Sequence, residues 1–141
     1  MLSEKLLIVD DNPEVRKLIR LALGYGKYLI YETGDGEQAL ALARSEKPDV
    51  IVMDNMMPGL DGIAVCQVIK ADPELSHSYI VLLTALGQER DITRGLAAGA
   101  DTYMIKPFSP GKLIEIVENR VRLPRPIRAY GYDIPPLPKT N

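Results

Sequence analysis

Five short runs of apolar residues alternate along the chain with longer segments in which the apolar residues have helical spacing. The runs are residues 6–9, 28–31, 50–53, 79–83 and 103–105, and polar residues follow each of them. Regular alternation of strand-length and helix-length segments is typical of parallel βαβ units. The pattern therefore predicts an α/β domain of the (βα)5 type, with a doubly wound, five-stranded parallel sheet.

Helix signals mark the segments between the runs. Asn12 is a suitable N-cap, and Pro13 suits the first position of a helix. Gly24 and Gly26 predict the end of that helix. Four further helices are predicted at residues 36–44, 61–71, 88–98 and 110–122, with Asp61 as a suitable N-cap of the helix at 61–71. The second should be short because Pro48 bars its continuation, and the fourth should be the least stable because it is rich in glycine and charge.

The end of the chain has a different composition. Residues 124–141 contain five prolines and little that could form a core. Such a segment is typical of an extended, polyproline-like tail or linker. We therefore expect a compact domain of residues 1–123 followed by a Pro-rich tail of residues 124–141.

Composition and charge exclude several classes of protein. The chain has 141 residues, 46% of them apolar, and a single cysteine, so it can form one sizeable core but no disulfide scaffold. Its net charge of −2 gives no basic surface of the kind that binds nucleic acid. No apolar run approaches the roughly 18 residues of a membrane span, and no signal peptide is recognisable. We expect a cytoplasmic protein with no direct nucleic-acid or membrane contact.

Polar side chains stand at the carboxyl ends of four predicted strands. Asp10 and Asp11 follow the first strand, and Asp54 follows the third. Thr84 and Lys106 follow the fourth and fifth strands. Because the carboxyl ends of parallel strands share one edge of the sheet, these residues are expected to converge.

Three neighbouring carboxylates repel one another and require a counter-charge. A hard cation such as Mg²⁺ prefers oxygen ligands and would supply that charge. Lys106 and the Thr84 hydroxyl would complete a site suited to phosphoryl transfer, which depends on positioning and charge neutralisation. A carboxylate can itself attack phosphorus, and Asp54 is the candidate because it alone ends a central strand.

Four motifs resemble the CheY-like receiver domains of two-component response regulators. They are Asp10-Asp11, the DNMMPGLDG loop at 54–62, Thr84-Ala85 and the YMIKPF segment at 103–108. The similarity extends over residues 4–122 in the order and spacing of that family. It implies the strand order 2-1-3-4-5.

The resemblance also implies a role for each motif. Asp54 would accept a phosphoryl group from a sensor histidine kinase or a histidine phosphotransfer protein. Mg²⁺ would bind Asp11 and Asp54 directly, Asp10 through water, and the backbone carbonyl of Met56. Thr84, the amide of Ala85 and Lys106 would hold the phosphoryl oxygens, and the bond between Lys106 and Pro107 would be cis.

The same resemblance implies a switch and an output surface. Thr84 would move towards the phosphoryl group, and Tyr103 would fill the space that it leaves. The face formed by the fourth helix, fifth strand and fifth helix would then change and contact a downstream protein. Met56 and Leu86 cannot orient a water molecule for hydrolysis, which predicts slow loss of the phosphoryl group.

A phosphohydrolase, a flavin-binding protein and a scaffold are three alternatives to a phosphorylated receiver domain. An aspartyl-phosphate phosphohydrolase usually has a second aspartate two residues after its nucleophile, whereas Asp10 is followed by Asp11 and Asn12. We therefore expect no enzyme beyond self-catalysed phosphoryl transfer. The acidic turn after the first strand would repel the phosphate of a flavin. A receiver-like scaffold that acts without phosphorylation remains an alternative.

The organisation of the whole protein stays open at this point. The chain could be a stand-alone receiver, or the amino-terminal part of a longer regulator in which the tail is a linker. It could be a monomer or a dimer that forms on phosphorylation. The cognate kinase and the pathway are not encoded in any recognisable motif.

Overall fold

The computed structural model describes residues 3–24, 26–85 and 89–121, without the side chains of residues 89 and 91. It contains five strands and five helices in strict alternation. The strands are β1 (Glu4–Val9), β2 (Tyr28–Thr33), β3 (Val50–Asp54), β4 (Tyr79–Ala85) and β5 (Thr102–Lys106). The helices are α1 (Pro13–Leu23), α2 (Gly36–Glu46), α3 (Gly62–Ala71), α4 (Glu89–Ala97) and α5 (Pro110–Asn119).

All neighbouring strands pair in parallel, in the order β2-β1-β3-β4-β5. The predicted α/β class and the strand order implied by the resemblance are both confirmed. Because β1 and β3 are neighbours at the centre, the chain reverses direction across the sheet between them. The edge above that reversal is where ligands bind in open α/β sheets.

Two hydrophobic clusters cover the two faces of the sheet. Helices α2, α3 and α4 pack on one face, whereas α1 and α5 pack on the other. The central strand β3 is buried along its whole length, and its residues alternate between the clusters: Val50 and Val52 face α1 and α5, Ile51 and Met53 the opposite side. Burial of each such side chain contributes about 1.5–3 kcal/mol, which fixes the register of β3.

Side-chain caps fix the beginnings of four helices. Asn12 Oδ1 accepts a hydrogen bond from the Glu14 amide at 2.9 Å, and Asp61 Oδ1 accepts one from the Ala64 amide at 2.8 Å. Both caps were expected from the sequence. Asp35 and Ser109 cap α2 and α5 in the same way.

Two helices end differently from the prediction. The expectation that α2 is short is wrong, because it continues to Glu46 and ends where Lys47 adopts a left-handed conformation (φ 48°), before Pro48 is reached. The predicted end of α5 at residue 122 is also wrong. Arg120 is left-handed (φ 48°), so the helix ends at Asn119.

The strands extend one or two residues beyond the apolar runs, because main-chain pairing continues past the apolar side chains. Leu86 and the Pro-rich tail lie outside the described residues. Within the described ranges, no helix has the length and apolarity needed to cross a membrane.

Candidate functional site

The carboxyl ends of β1, β3 and β5 bring four charged side chains together. Carboxylate oxygens of Asp10, Asp11 and Asp54 all lie within 4.8 Å of one another. Lys106 Nζ lies 2.9 Å from Asp10 Oδ2 and 3.2 Å from Asp54 Oδ1. The convergence predicted from the polar strand ends is therefore present in the structure.

Asp10 is fully buried, and each of its polar groups has a partner. Its amide donates to the Thr33 carbonyl at 3.0 Å, and its Oδ1 accepts from the Asn12 amide at 2.9 Å. Its Oδ2 accepts a hydrogen bond from the Lys106 ammonium group, and its backbone carbonyl accepts one from Arg16. Asp10 is thus held rigidly at the base of the cluster.

Asp11 and Asp54 differ sharply in exposure. Asp11 is exposed, whereas Asp54 is only 4% exposed. The Asp54 pKa is raised above its usual range, first because burial disfavours the charged form and then because the Asp10 charge repels it. Lys106 and the Met56 amide, which donates to the Asp54 carboxyl, oppose that shift only in part. The nearby lysine therefore does not fully compensate the negative charge at Asp54.

Lys106 is held between the two buried carboxylates. Burial alone would lower the pKa of its ammonium group, but the hydrogen bond to Asp10 and the charges of Asp54 and Asp10 raise that pKa overall. Lys106 is therefore a fixed cation at neutral pH. It is located where the oxygens of an incoming anion could approach Asp54.

The loop after Asp54 leaves little room for side chains. The Gly62 amide donates to the Asn55 carbonyl at 2.9 Å, and a Cβ on Gly62 would lie 2.5 Å from the carbonyl oxygen of Asp54. Asn55 Oδ1 accepts a hydrogen bond from the Ile63 amide at 3.1 Å, which joins the loop to α3. Gly59 has a positive φ of 74°. The hydrogen bond between Asn55 and Ile63 was not predicted from the sequence.

Thr84, Ala85 and Tyr103 lie on the two strands beside Asp54. Thr84 is 1% exposed, and among the described residues its hydroxyl oxygen has no hydrogen-bond partner. Ala85 is exposed, and the Tyr103 side chain is buried on the face covered by α3 and α4. An unpartnered buried hydroxyl is costly, so Thr84 retains a donor for an acceptor such as a phosphoryl oxygen. The bond between Lys106 and Pro107 is cis, as the resemblance implied.

The donor set of the cluster fits a hard divalent cation. Only carboxylate oxygens converge, one of the three carboxylates is exposed, and the buried negative charge exceeds that of the single lysine. Mg²⁺ is bound by such oxygen ligands and retains water in its remaining positions. Histidine and cysteine ligands, which softer metals prefer, are absent from this cluster of described side chains.

Comparisons with known proteins agree with this geometry. The chain is 46% identical over 120 residues to ycf27 of Guillardia theta, described as a probable transcriptional regulator, covering 85% of this chain and 44% of that protein. It is 39% identical to the DNA-binding response regulator MtrA of Mycolicibacterium smegmatis, covering 86% of this chain and 52% of that protein. The chain thus spans about half the length of the curated relatives it matches.

A solved structure covers the same region. The chemotaxis response regulator CheY4 of Vibrio cholerae superposes with a TM-score of 0.76 at 28% identity, covering 84% of this chain and 98% of that chain. The family model of the response regulator receiver domain matches residues 6–118, which include all the side chains of the acidic cluster and Lys106. The chain belongs to the response-regulator receiver domains of two-component signalling, a family whose general function is to be phosphorylated by a sensor kinase.

Proposed function

We propose that Asp54 of this receiver domain is the phosphoacceptor. The observation that carries the proposal is the position of its buried carboxylate, within 4.8 Å of two further carboxylates and 3.2 Å from Lys106 Nζ. Asp10 is saturated by its own hydrogen bonds, and Asp11 is exposed beside a helix N-terminus. Asp54 therefore remains as the carboxylate that lies between Lys106 and the other metal-binding carboxylates, where the charge of a transferred phosphoryl group can be neutralised.

The phosphoryl donor is a phosphohistidine of a sensor kinase or a phosphotransfer protein. A carboxylate oxygen of Asp54 attacks phosphorus, an O–P bond forms, and the N–P bond of the phosphohistidine breaks. The imidazole leaves with that electron pair and takes up a proton from solvent. Lys106 stays protonated throughout, since its raised pKa keeps it charged, and it stabilises the negative oxygens of the transferred group.

Mg²⁺ is the cofactor that fits the cluster. Asp11 and Asp54 would hold it directly, Asp10 through water, and the Met56 carbonyl as a further ligand. When bound, Mg²⁺ neutralises the negative charge shared by the carboxylates and the phosphoryl oxygens. Thr84 and the amide of Ala85 would hold two of the phosphoryl oxygens on the side of β4.

The output is a change on the surface formed by α4, β5 and α5. Thr84 is the next-to-last residue of β4. Tyr103 lies on the paired strand β5, where Leu82 is its register partner. Movement of the Thr84 hydroxyl towards a phosphoryl oxygen would leave space beside Tyr103, and repacking of this ring would alter α4. The proposed recipient of the signal is a downstream protein that contacts this surface.

Residues 1–123 form the receiver domain, and residues 124–141 form a tail or linker. The longer relatives support the alternative that the chain is the amino-terminal part of a regulator with a further domain. One of them is named as DNA-binding; any DNA contact of such a regulator would lie outside residues 1–123, which carry no motif for it. We propose a cytoplasmic location, a monomer or a dimer formed on phosphorylation, and no enzymatic turnover of external substrates.

The proposal is tested by intact-mass measurement after incubation with Mg²⁺ and acetyl phosphate. One phosphate-sized increment is expected on the wild-type chain, and none on Asp54→Asn. Asp61→Asn is the matched control, because Asp61 lies at the other end of the same loop and caps α3; this variant should be phosphorylated normally. An increment that persists in Asp54→Asn would overturn the assignment of Asp54. No increment on the wild-type chain from either acetyl phosphate or a phosphohistidine donor would favour the phosphorylation-independent scaffold.

A further inference from the structure

We propose that Arg16 is a positioning residue for the metal site, because its guanidinium group holds the peptide that joins Asp10 to Asp11. The proposal rests on the function proposed above and adds a residue that neither the motifs nor the acidic cluster identify. It makes the affinity of the receiver for Mg²⁺ dependent on a side chain of α1 that touches no ligand carboxylate.

The guanidinium of Arg16 connects two strands at the metal-binding edge. Its Nη1 donates to the backbone carbonyl oxygen of Asp10 at 2.5 Å, directly after β1. Its Nε donates to Glu32 Oε1 on β2 at 3.3 Å. Both partners of this ion pair are about three-quarters buried, with side-chain exposures of 23% and 27%. The arginine is therefore held from β2 while it binds the start of the loop that follows β1.

The backbone around this contact is closely packed. A Cβ placed on Gly34 would lie 3.2 Å from Arg16 Nη1, 3.3 Å from the Asp10 carbonyl oxygen and 3.1 Å from the Asp11 Cα. A side chain at position 34 would therefore press on the guanidinium and on the Asp10 carbonyl that it binds. Rotation of the Arg16 side chain away from Asp10 would break its hydrogen bonds to the Asp10 carbonyl and to Glu32.

The held carbonyl belongs to the peptide plane that leads into Asp11. A peptide unit is rigid, so a bond that fixes the Asp10 carbonyl also fixes the Asp11 amide and the direction in which the chain enters Asp11. With this bond, the amide, the carbonyl and both carboxylate oxygens of Asp10 all have partners. The exposed carboxylate of Asp11 is then carried by a fixed backbone towards the buried carboxylate of Asp54.

The positive charge of Arg16 and its positioning role predict opposite changes in Mg²⁺ affinity when the side chain is removed. A cation close to an acidic cluster repels Mg²⁺, so its removal should strengthen binding if electrostatics were its only contribution. Positioning predicts that removal weakens binding, because the ligands lose their preformed geometry. The sign of the change therefore separates the two roles.

Arg20 provides a matched control on the same helix. It pairs with the other carboxylate oxygen of Glu32, and its hydrogen bond goes to that side chain and not to Asp10. Arg20→Gln removes one positive charge from α1 and one partner of Glu32. It leaves the contact between Arg16 and Asp10 in place.

The experiment is isothermal titration of the full chain with Mg²⁺. The dissociation constant of Arg16→Gln should rise by about tenfold, the lower end of the range for residues that orient metal ligands. The constant of Arg20→Gln should stay at the wild-type value or fall slightly. In parallel, the Mg²⁺ concentration that gives half-maximal phosphorylation by acetyl phosphate should rise for Arg16→Gln, and the rate should recover as Mg²⁺ is raised further.

The outcomes are distinguishable. If the wild-type chain binds no Mg²⁺, the proposed function fails; if it binds Mg²⁺ and Arg16→Gln binds it equally well or more tightly, only the role of Arg16 is overturned. Thermal unfolding without Mg²⁺ checks that Arg16→Gln is folded. If it is not, Arg16→Lys decides, since it keeps the positive charge but lacks the planar guanidinium that binds the Asp10 carbonyl and Glu32 together. Weaker Mg²⁺ binding by Arg16→Lys, with Arg20→Gln unchanged, supports the proposal, and wild-type binding by Arg16→Lys overturns it.

Discussion

The side-chain nitrogen of Lys106 lies 3.2 Å from Asp54 Oδ1, yet the pKa of Asp54 is raised. The lysine divides its charge between two carboxylates, because the same nitrogen lies 2.9 Å from Asp10 Oδ2. Burial of Asp54 and repulsion by Asp10 therefore outweigh the attraction of one cation. The buried negative charge at this site therefore lowers the stability of the folded domain, and a second positive charge would offset that loss.

Replacement of the acceptor should stabilise the metal-free domain at neutral pH. The pKa of Asp54 is 3.8 in the unfolded chain and higher in the folded domain. The folded domain therefore loses stability as the pH rises from 3.8 through the folded-state pKa. Asp54→Asn removes that cost, so we expect a gain on the order of 1 kcal/mol at pH 7 and none at pH values where Asp54 is protonated in both states. Urea unfolding in EDTA at several pH values measures it. A variant less stable than the wild type at pH 7 would contradict the raised pKa.

Removal of the bridging cation should have the opposite effect. Lys106→Met leaves two buried carboxylates without their counter-charge, and we expect a loss of about 2 kcal/mol at pH 7, less than for a fully buried pair. Since the Lys106 pKa is raised, its contribution is present below its usual 10.5 and is lost as the pH rises through the raised value. Chemical unfolding from neutral to alkaline pH tests this. Lys112→Met, at a more exposed pair with Glu115, is the control and should change stability little.

The end of α5 is fixed by hydroxyl groups at the opposite edge of the sheet. Thr102 Oγ1 donates to the Val121 carbonyl at 2.7 Å, and the Tyr79 hydroxyl contacts both of these groups. Tyr79→Phe should lower the free energy of unfolding by about 1 kcal/mol and leave phosphorylation unchanged. Tyr31→Phe, which loses a less buried hydrogen bond to Glu46, should cost less. Equal stability of Tyr79→Phe and the wild type would show that the contact contributes nothing.

Slow hydrolysis of the aspartyl phosphate is expected because Met56 cannot orient a water molecule. Its side chain is 56% exposed, two residues after the acceptor. Met56→Asn should shorten the lifetime of the phosphorylated form. Val68→Asn, at an exposed apolar position on α3, should not. Intact mass followed over time after removal of acetyl phosphate gives both lifetimes. A wild-type lifetime of a few seconds would refute this explanation.

The proposed coupling through Tyr103 predicts a separation of uptake from response. Tyr103→Phe keeps the buried ring and removes only its hydroxyl, so the rate of phosphoryl uptake should be that of the wild type. In Tyr103→Leu, which lacks the ring that would fill the space beside Thr84, hydrogen exchange of α4 and β5 on phosphorylation should change less than in the wild type. If uptake itself were abolished, Tyr103 would belong to the acceptor site and the coupling would be wrong.

The order of the elements and the residues of the candidate site follow from the pattern of amino acids alone. Apolar runs and helical spacings are local properties, and in a parallel sheet every strand ends at the same edge, so Asp10, Asp54 and Lys106 were expected to converge. The caps at Asn12 and Asp61 could also be predicted, because a capping side chain binds an amide only two or three residues away.

The distribution of charge and burial within that site follows from the packing of the folded chain. Asp10 and Asp11 are adjacent in sequence and equivalent as residue types, yet Asp10 is fully buried and Asp11 is exposed. Lys106 and Thr33 hydrogen-bond to Asp10 and not to Asp11. The contact of Arg16 with the Asp10 carbonyl and the end of α5 at Asn119 depend likewise on partners remote in sequence. Burial and hydrogen bonding are properties of the packed chain, so no local pattern could encode them.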